Sequence, residues 1–254
     1  MTHATVPDHH TAIPCREIPL ISHSEAMVLA ATEYDRILDQ VHRLEGDDWA
    51  QPTDCTEWTV HDLVVHLLGG AEAVGSIREM LHQMRAARRL PKGGPRIDRL
   101  NAVHVAERRD LPTDTLCERL APAFRRALRA RRRAPALLRK LPINADDFGR
   151  VSFGSLNDVV VTRDGFIHRV DISRATGKPM EISADHEGRI VADVVREWAA
   201  AHGSACTLRL SGAAGGTYTN GADGEDTELD AIEFCRIVSG RVNGDGLLST
   251  RVLF

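Results

Sequence analysis

"TEWTVHDLVVHLLGG" (Thr56–Gly70) carries two histidines, His61 and His66, in an otherwise apolar run. A helix turns about 100° per residue, so five steps place the two rings on different faces, and they do not serve one site together. Thr59 fits as an N-cap. Asp62 then falls at the third helical position, where a carboxylate answers the free backbone N–H groups. Trp58, just before the cap, pairs with Leu63 as a hydrophobic staple. Asp62 is therefore read as a capping acid, and His61, in the first turn, as solvent-facing. His66 follows Leu63 by three, precedes Gly70 by four and is flanked by Leu67 and Leu68. It points into or beside a helical core, either as a hydrogen-bonded core histidine or as a metal ligand. This helix alone does not choose between them.

Working outward, "SEAMVLAATEYDRILDQVHRL" (Ser24–Leu44) repeats apolar residues at threes and fours and predicts an amphipathic helix with Ser24 as N-cap. The helix of the opening stretch is expected from Thr59 to about Arg89. "LPKGGPR" is a loop, a third helix covers about Arg99–Arg109, and a fourth runs from a Thr113 or Asp114 cap to about Leu141. "LPINADDFGRVSFGS" reads as a loop. Leu156–Ala175 is the last long helix, closed by "TGKP", a glycine for a left-handed cap and then a proline. After Pro179 the texture changes. "HEGRIVADVVREWAAAHG" is helical, "CTLRLSG" alternates like a half-buried strand with "GTYTNG" as its hairpin partner, and "DTELDAIEFCRIVSGR" returns to helix. The expected organisation is α+β: a flexible N-terminal arm (1–22), a helical bundle (23–180) and a small α+β C-terminal domain (181–254).

The 254 residues carry a net charge of −4, which gives no general attraction to nucleic acid or acidic membranes. The one basic stretch, "RRALRARRRAPALLRK" (Arg125–Lys140), reads as a helix with a solvated cationic face, or as a site for an anionic ligand or partner. The five cysteines are scattered, odd in number and without a CxxC pair, so they form no disulfide framework. No apolar run reaches the roughly 20 residues of a membrane span, and "MTHATVPDHHTAIPC" has no apolar signal core. The expectation is a soluble cytoplasmic protein, monomer or homodimer, with no nucleic-acid or membrane partner.

"TRDGFIHRVDISRATG" places Asp164 and His168 four apart, one turn along one helix face. Carboxylate plus imidazole is ordinary ligation for zinc and other divalent metals. An Asp–His surface pair is the alternative. With His66 the set becomes three protein ligands and leaves a coordination position for water or substrate, the pattern of a catalytic metal. Asp171, three after His168, either orients a ligand histidine or lies on the helix surface. Cys55 at the helix entry is not read as a nucleophile, and His82 and His104 have proton-shuttle chemistry but no motif.

Together, "PTDCTEWTVHDLVVHL" and "RDGFIHRVDISRATGKP" resemble the two signature segments of the mycothiol-dependent maleylpyruvate isomerase family, among the DinB-like four-helix metalloenzymes. The resemblance runs from about residue 24 onward. It implies that His66, Asp164 and His168 bind a divalent metal, most often zinc, with aspartate where the family has Asp or Glu. It also implies mycothiol, a low-molecular-weight thiol, as cosubstrate, a small-molecule substrate, and isomerase or S-transferase chemistry. "SGRVNGDG" (Ser239–Gly246) resembles the family's Gly-Arg, which implies Arg241 as the catalytic residue, holding a substrate carboxylate at the domain interface; an arginine that caps the preceding helix is the alternative. With the chain stopping at "TRVLF", part of the family's closing segment is expected to be absent. Two other readings stand beside this one: a non-catalytic metal-binding or regulatory protein, and a metal hydrolase that needs no thiol.

Overall fold

The computed structural model describes residues 12–91 and 95–254. They form two compact units, one of Ile21–Glu181 with Leu253–Phe254, the other of Ile182–Val252 with the described residues up to Leu20. The fold class is α+β, a helical bundle followed by a small mixed sheet with helices.

The first unit begins with α1 (His23–Val41). Its cap is Ser22, not Ser24. The Ser22 hydroxyl accepts the Glu25 N–H at 3.2 Å and Glu25 answers the Ser22 N–H, a closed capping box that two residues' shift would break. In α2 (Val60–Gly75) the same device is built from Thr59 and Asp62. The expected single helix to Arg89 breaks at Ser76, which is extended (φ −150°, ψ 115°) and caps α3 (Ile77–Arg89) by accepting the Glu79 N–H. A Gly-Ser pair is weak in a helix interior, and the serine hydroxyl offers the backbone an alternative partner. α4 (Arg96–Ala106) starts just after Pro95, earlier than expected. α5 (Thr113–Arg132) follows Pro112 without a side-chain cap, so neither Thr113 nor Asp114 serves as one. It stops before Pro135, which pushes the preceding residue out of the helical region. The one-turn α6 (Ala136–Arg139) follows separately.

The stretch expected to be a loop forms a hairpin, β2 (Pro142–Asn144) with β3 (Arg150–Ser152), Ile143 facing Val151. Three-residue strands are too short to show alternation. The short α7 (Phe153–Ser155) passes through a π-turn at Leu156–Val160 into α8 (Val161–Thr176), which Gly177 ends in the left-handed region (φ 68°). Ile37, Leu63, Leu68, Leu116, Leu120 and Ile172 are fully buried between α1, α2, α5 and α8. The Arg-rich stretch is mostly solvated, with one exception. Arg131 is buried and donates to the Tyr34 hydroxyl (3.2 Å), the Asp158 carbonyl (3.0 Å) and Thr162 Oγ1 (2.7 Å).

Asp62 also accepts from Arg109 Nε at 2.9 Å. Burial alone would raise its pKa, but the Thr59 donors and Arg109 hold it below the usual carboxylate value. A depressed native pKa means stability that is present above the unfolded value and lost as pH falls through the native one. Asp62→Ala is therefore expected to cost about 1–2 kcal/mol at neutral pH. The gap to wild type should close at acid pH, as read from urea midpoints across a pH series.

In the second unit β1 (Ile13–Pro14) pairs in parallel with β5 (Gly216–Asn220), and with β4 (Cys206–Ser211) and β6 (Glu225–Asp230) they form a sheet ordered β1-β5-β4-β6. β4 runs antiparallel to β5 and turns Cys206, Leu208 and Leu210 inward. The expected helix from Asp226 starts instead as β6, parallel to β4. Asp230 then caps α10 (Ala231–Val238) by accepting the Ile232 and Glu233 N–H groups. α9 (Arg189–His202) contributes Trp198, packed edge-on against Phe234. Residues 12–22, expected to be an irregular arm, thus supply an edge strand and the buried Cys15 and Ile18. Residues 1–11 of that arm lie outside the described residues. All five cysteines are free thiols. Among the described residues no helix is long and apolar enough to cross a membrane.

Candidate metal centre

The capping box fixes where α2 starts, and His66 then falls two turns in, 5% exposed. α8 presents Asp164 and His168 one turn apart. The structure brings these three side chains together, with one donor atom of each within 4.8 Å of the others. Asp164 Oδ1 lies 3.3 Å from His168 Nε2, and Asp164 Oδ2 lies 3.6 Å from His66 Nε2. A tetrahedral ion at about 2.0–2.2 Å from N and O ligands separates its donors by about 3.3–3.6 Å; each imidazole lies at that spacing from one of the two carboxylate oxygens, so the donor set fits such an ion in its chemistry and lies close to it in spacing. The Asp164 side chain is 36% exposed and the two imidazoles only 5–7%, so the cluster is open on the carboxylate side.

Neighbours hold the rings. The buried Asp171 carboxylate accepts from His168 Nδ1 at 3.0 Å, which leaves Nε2 as the nitrogen that faces Asp164. Cys55 Sγ donates to the same Asp171 oxygen at 3.6 Å. The Trp58 ring covers His66 at a centroid distance of 4.9 Å. Burial would raise the Asp164 carboxyl, but His168 and His66 hold it well below its ordinary value. Burial would lower His168, but Asp164, Asp171 and Cys55 hold it well above. The two shifts are the two sides of one Asp164–His168 ion pair.

His61 is not solvent-facing. Its Nε2 lies 3.0 Å from the Leu111 carbonyl. His82 sits at the surface against Glu107 (2.8 Å). His104, without a motif in the sequence, lies buried with Nδ1 3.2 Å from His66 Nδ1. The signal for it was Gly69, one turn after His66. A Cβ there would sit 2.8 Å from the His104 Cβ. Arg241 belongs to the other unit, just past α10, half-buried, with its N–H donated to the Arg236 carbonyl at 3.0 Å.

An α+β chain whose N-terminal bundle gathers two imidazoles and a carboxylate from two helices falls in the class of helix-bundle proteins with a candidate metal centre. The model of the mycothiol maleylpyruvate isomerase N-terminal domain matches residues 30–173, and the chain belongs to that family. Two solved structures, the mycothiol-dependent maleylpyruvate isomerase and a mutant of it, share the fold. The TM-scores are 0.55 and 0.56 at 17% identity, with 89% and 87% of this chain and 91% and 90% of those chains covered. Two uncharacterized proteins of Mycobacterium tuberculosis, from strains H37Rv and CDC 1551, are each 35% identical over 57 residues. That stretch is 22% of this chain, and it spans 28% of their length.

Proposed function

We propose that the protein is a metal-dependent enzyme that uses a low-molecular-weight thiol, mycothiol, on a small-molecule substrate, as an isomerase of the maleylpyruvate isomerase type or as a thiol S-transferase. The observation that carries this reading is the meeting of one donor atom each from His66, Asp164 and His168 within 4.8 Å. A divalent metal, zinc on the resemblance to the family, would be held by these three residues. When bound it supplies Lewis acidity that favours a thiolate at neutral pH. Asp171 orients the His168 ring, Trp58 keeps water from one face of His66, and Asp164 marks the side from which the thiol enters. The free cysteines accord with a reducing, cytoplasmic setting for such a thiol.

The test is a calorimetric titration of mycothiol into the zinc-loaded and the chelator-stripped protein. Binding to the loaded form alone is expected. Equal binding to both forms, or to neither, would overturn the reading.

Arg241 enters this reading as the cation for a substrate carboxylate, on the resemblance of Ser239–Gly246 to the family and on the two parallel N–H donors of a guanidinium. Arg241→Ala is expected to raise KM for a carboxylate substrate by about tenfold or more, with metal content unchanged. An unchanged KM would remove Arg241 from the site.

A further inference from the structure

His104 and Gln83 form a buried hydrogen-bond chain behind His66, and its direction can be read from atoms whose roles are fixed. Gln83 Nε2 lies 3.0 Å from the Gly69 carbonyl and 2.9 Å from Glu79 Oε1. A carbonyl accepts only. Glu79, paired with Arg108 at 2.6 Å, is a carboxylate and also accepts only. Both contacts therefore require the amide nitrogen at that end, and Gln83 turns its oxygen toward His104 Nε2, 2.9 Å away. His104 Nε2 must then carry a hydrogen and donate it.

The next link is a pair of ring nitrogens, His104 Nδ1 and His66 Nδ1, 3.2 Å apart. One of them must donate and the other accept. If His104 donated there too it would be an imidazolium, 4% exposed and beside the Arg108 guanidinium, which donates to its carbonyl. Burying such a cation is costly. His104 Nδ1 is therefore the acceptor and His66 Nδ1 the donor, so the nitrogen of His66 that can give up its hydrogen to a metal is Nε2, the atom that faces Asp164.

The anchorage is rigid. Gln83 is fully buried, and Arg108 ties Glu79 to Glu72, which is held in turn by Arg119. Gly69 leaves the space the His104 ring needs.

We infer that His104, set by Gln83, is a positioning residue that fixes His66 in the Nδ1–H tautomer and so keeps His66 Nε2 available as a metal donor. The metal half of this inference rests on the metal-centre reading, whereas the tautomer half does not. Asp171 likewise holds a hydrogen on His168 Nδ1 and turns Nε2 toward Asp164. The two histidines are thus prepared alike, one by a carboxylate and the other by a neutral ring.

The experiment records ring-nitrogen NMR spectra of the full-length protein, stripped with chelator and then loaded with zinc, beside zinc affinity by competition with a chromophoric chelator. In the stripped wild type His66 is expected to show a protonated Nδ1, and in the zinc-loaded protein a protonated Nδ1 with Nε2 free of hydrogen. His104→Leu removes the acceptor and is expected to weaken zinc binding about 10–100-fold. His104→Gln, whose amide oxygen can accept from His66 Nδ1, is expected to recover most of that loss. Gln83→Leu leaves the His104 ring in place and should turn the His66 signals into a mixture of tautomers, which a purely packing role would not do. Circular dichroism and thermal midpoints establish that each variant is folded, and Gln83→Leu decides the matter if His104→Leu is not. A stripped wild type without hydrogen on His66 Nδ1, or a folded His104→Leu with wild-type affinity, would overturn the inference. If the wild type takes up no zinc, the metal-centre reading falls, and the nitrogen spectrum still decides the tautomer.

Discussion

Alanine at His66 or at His168 is expected to take the bound metal from about one ion per chain to none, because a site with three protein donors that loses an imidazole keeps too few to hold the ion against water. Both histidines sit in well-packed helices, and neither caps one. The loss should therefore appear in elemental analysis of a protein with an unchanged helical spectrum. Asp171→Asn offers a graded comparison. It keeps the shape and removes the charge that accepts from His168 Nδ1, and it should cost about 10–100-fold in affinity rather than all of it. Metal that survives in both alanine variants would place the ion elsewhere and remove the donor set on which the proposed function stands.

Arg169→Leu is expected to lower stability by about 3–5 kcal/mol. Arg169 and Glu33 are each 1% exposed, with Nε 2.6 Å from Oε1 and Nη2 3.3 Å from Oε2, so the pair is bidentate and out of water. It joins α1 to α8 one residue past His168. Gln40 Nε2 donates to the Arg169 carbonyl, and Arg169 Nη1 donates to the Glu181 carbonyl. Leucine fills part of the volume but leaves the Glu33 carboxylate buried without its guanidinium. The double variant Arg169→Leu with Glu33→Leu should recover much of the loss, since two apolar side chains replace an ion pair at little net cost. Chemical denaturation of the two variants checks both statements, and a single variant as stable as wild type would contradict them.

What the sequence made legible followed the range of the interaction involved. The Thr59–Asp62 box and the Gly177 stop are local, their residues adjacent in the chain, and they could be read directly. Asp164 and His168 needed only the helical repeat. Ser76 was missed because apolar spacing continues across it, although its hydroxyl ends one helix and caps the next. β6 was missed because its six residues carry five polar side chains and only Leu229 from the apolar set, so the pairing with β4 supplies what the pattern lacks. His104 and Gln83 come from two other helices, and no spacing in either places them against His66. Gly69 carried the trace of that contact, but a glycine near a helix end has several uses.

The parallel pairing of Ile13 with Tyr218 has a consequence for the order of events at the ribosome. The two residues are about 200 positions apart, a closure whose entropy must be met before the pair contributes anything. The bundle helices α1 to α8 can settle once Thr176 has emerged. The first described strand, made earliest, has to wait for nearly the whole chain. Until then β5 has no neighbour on that side, and an open strand edge is a template for another chain. Nascent copies are most exposed to one another in the interval between the completion of β5 and the return of residues 13–14, and a shortened chain lacking those residues would carry that exposure permanently.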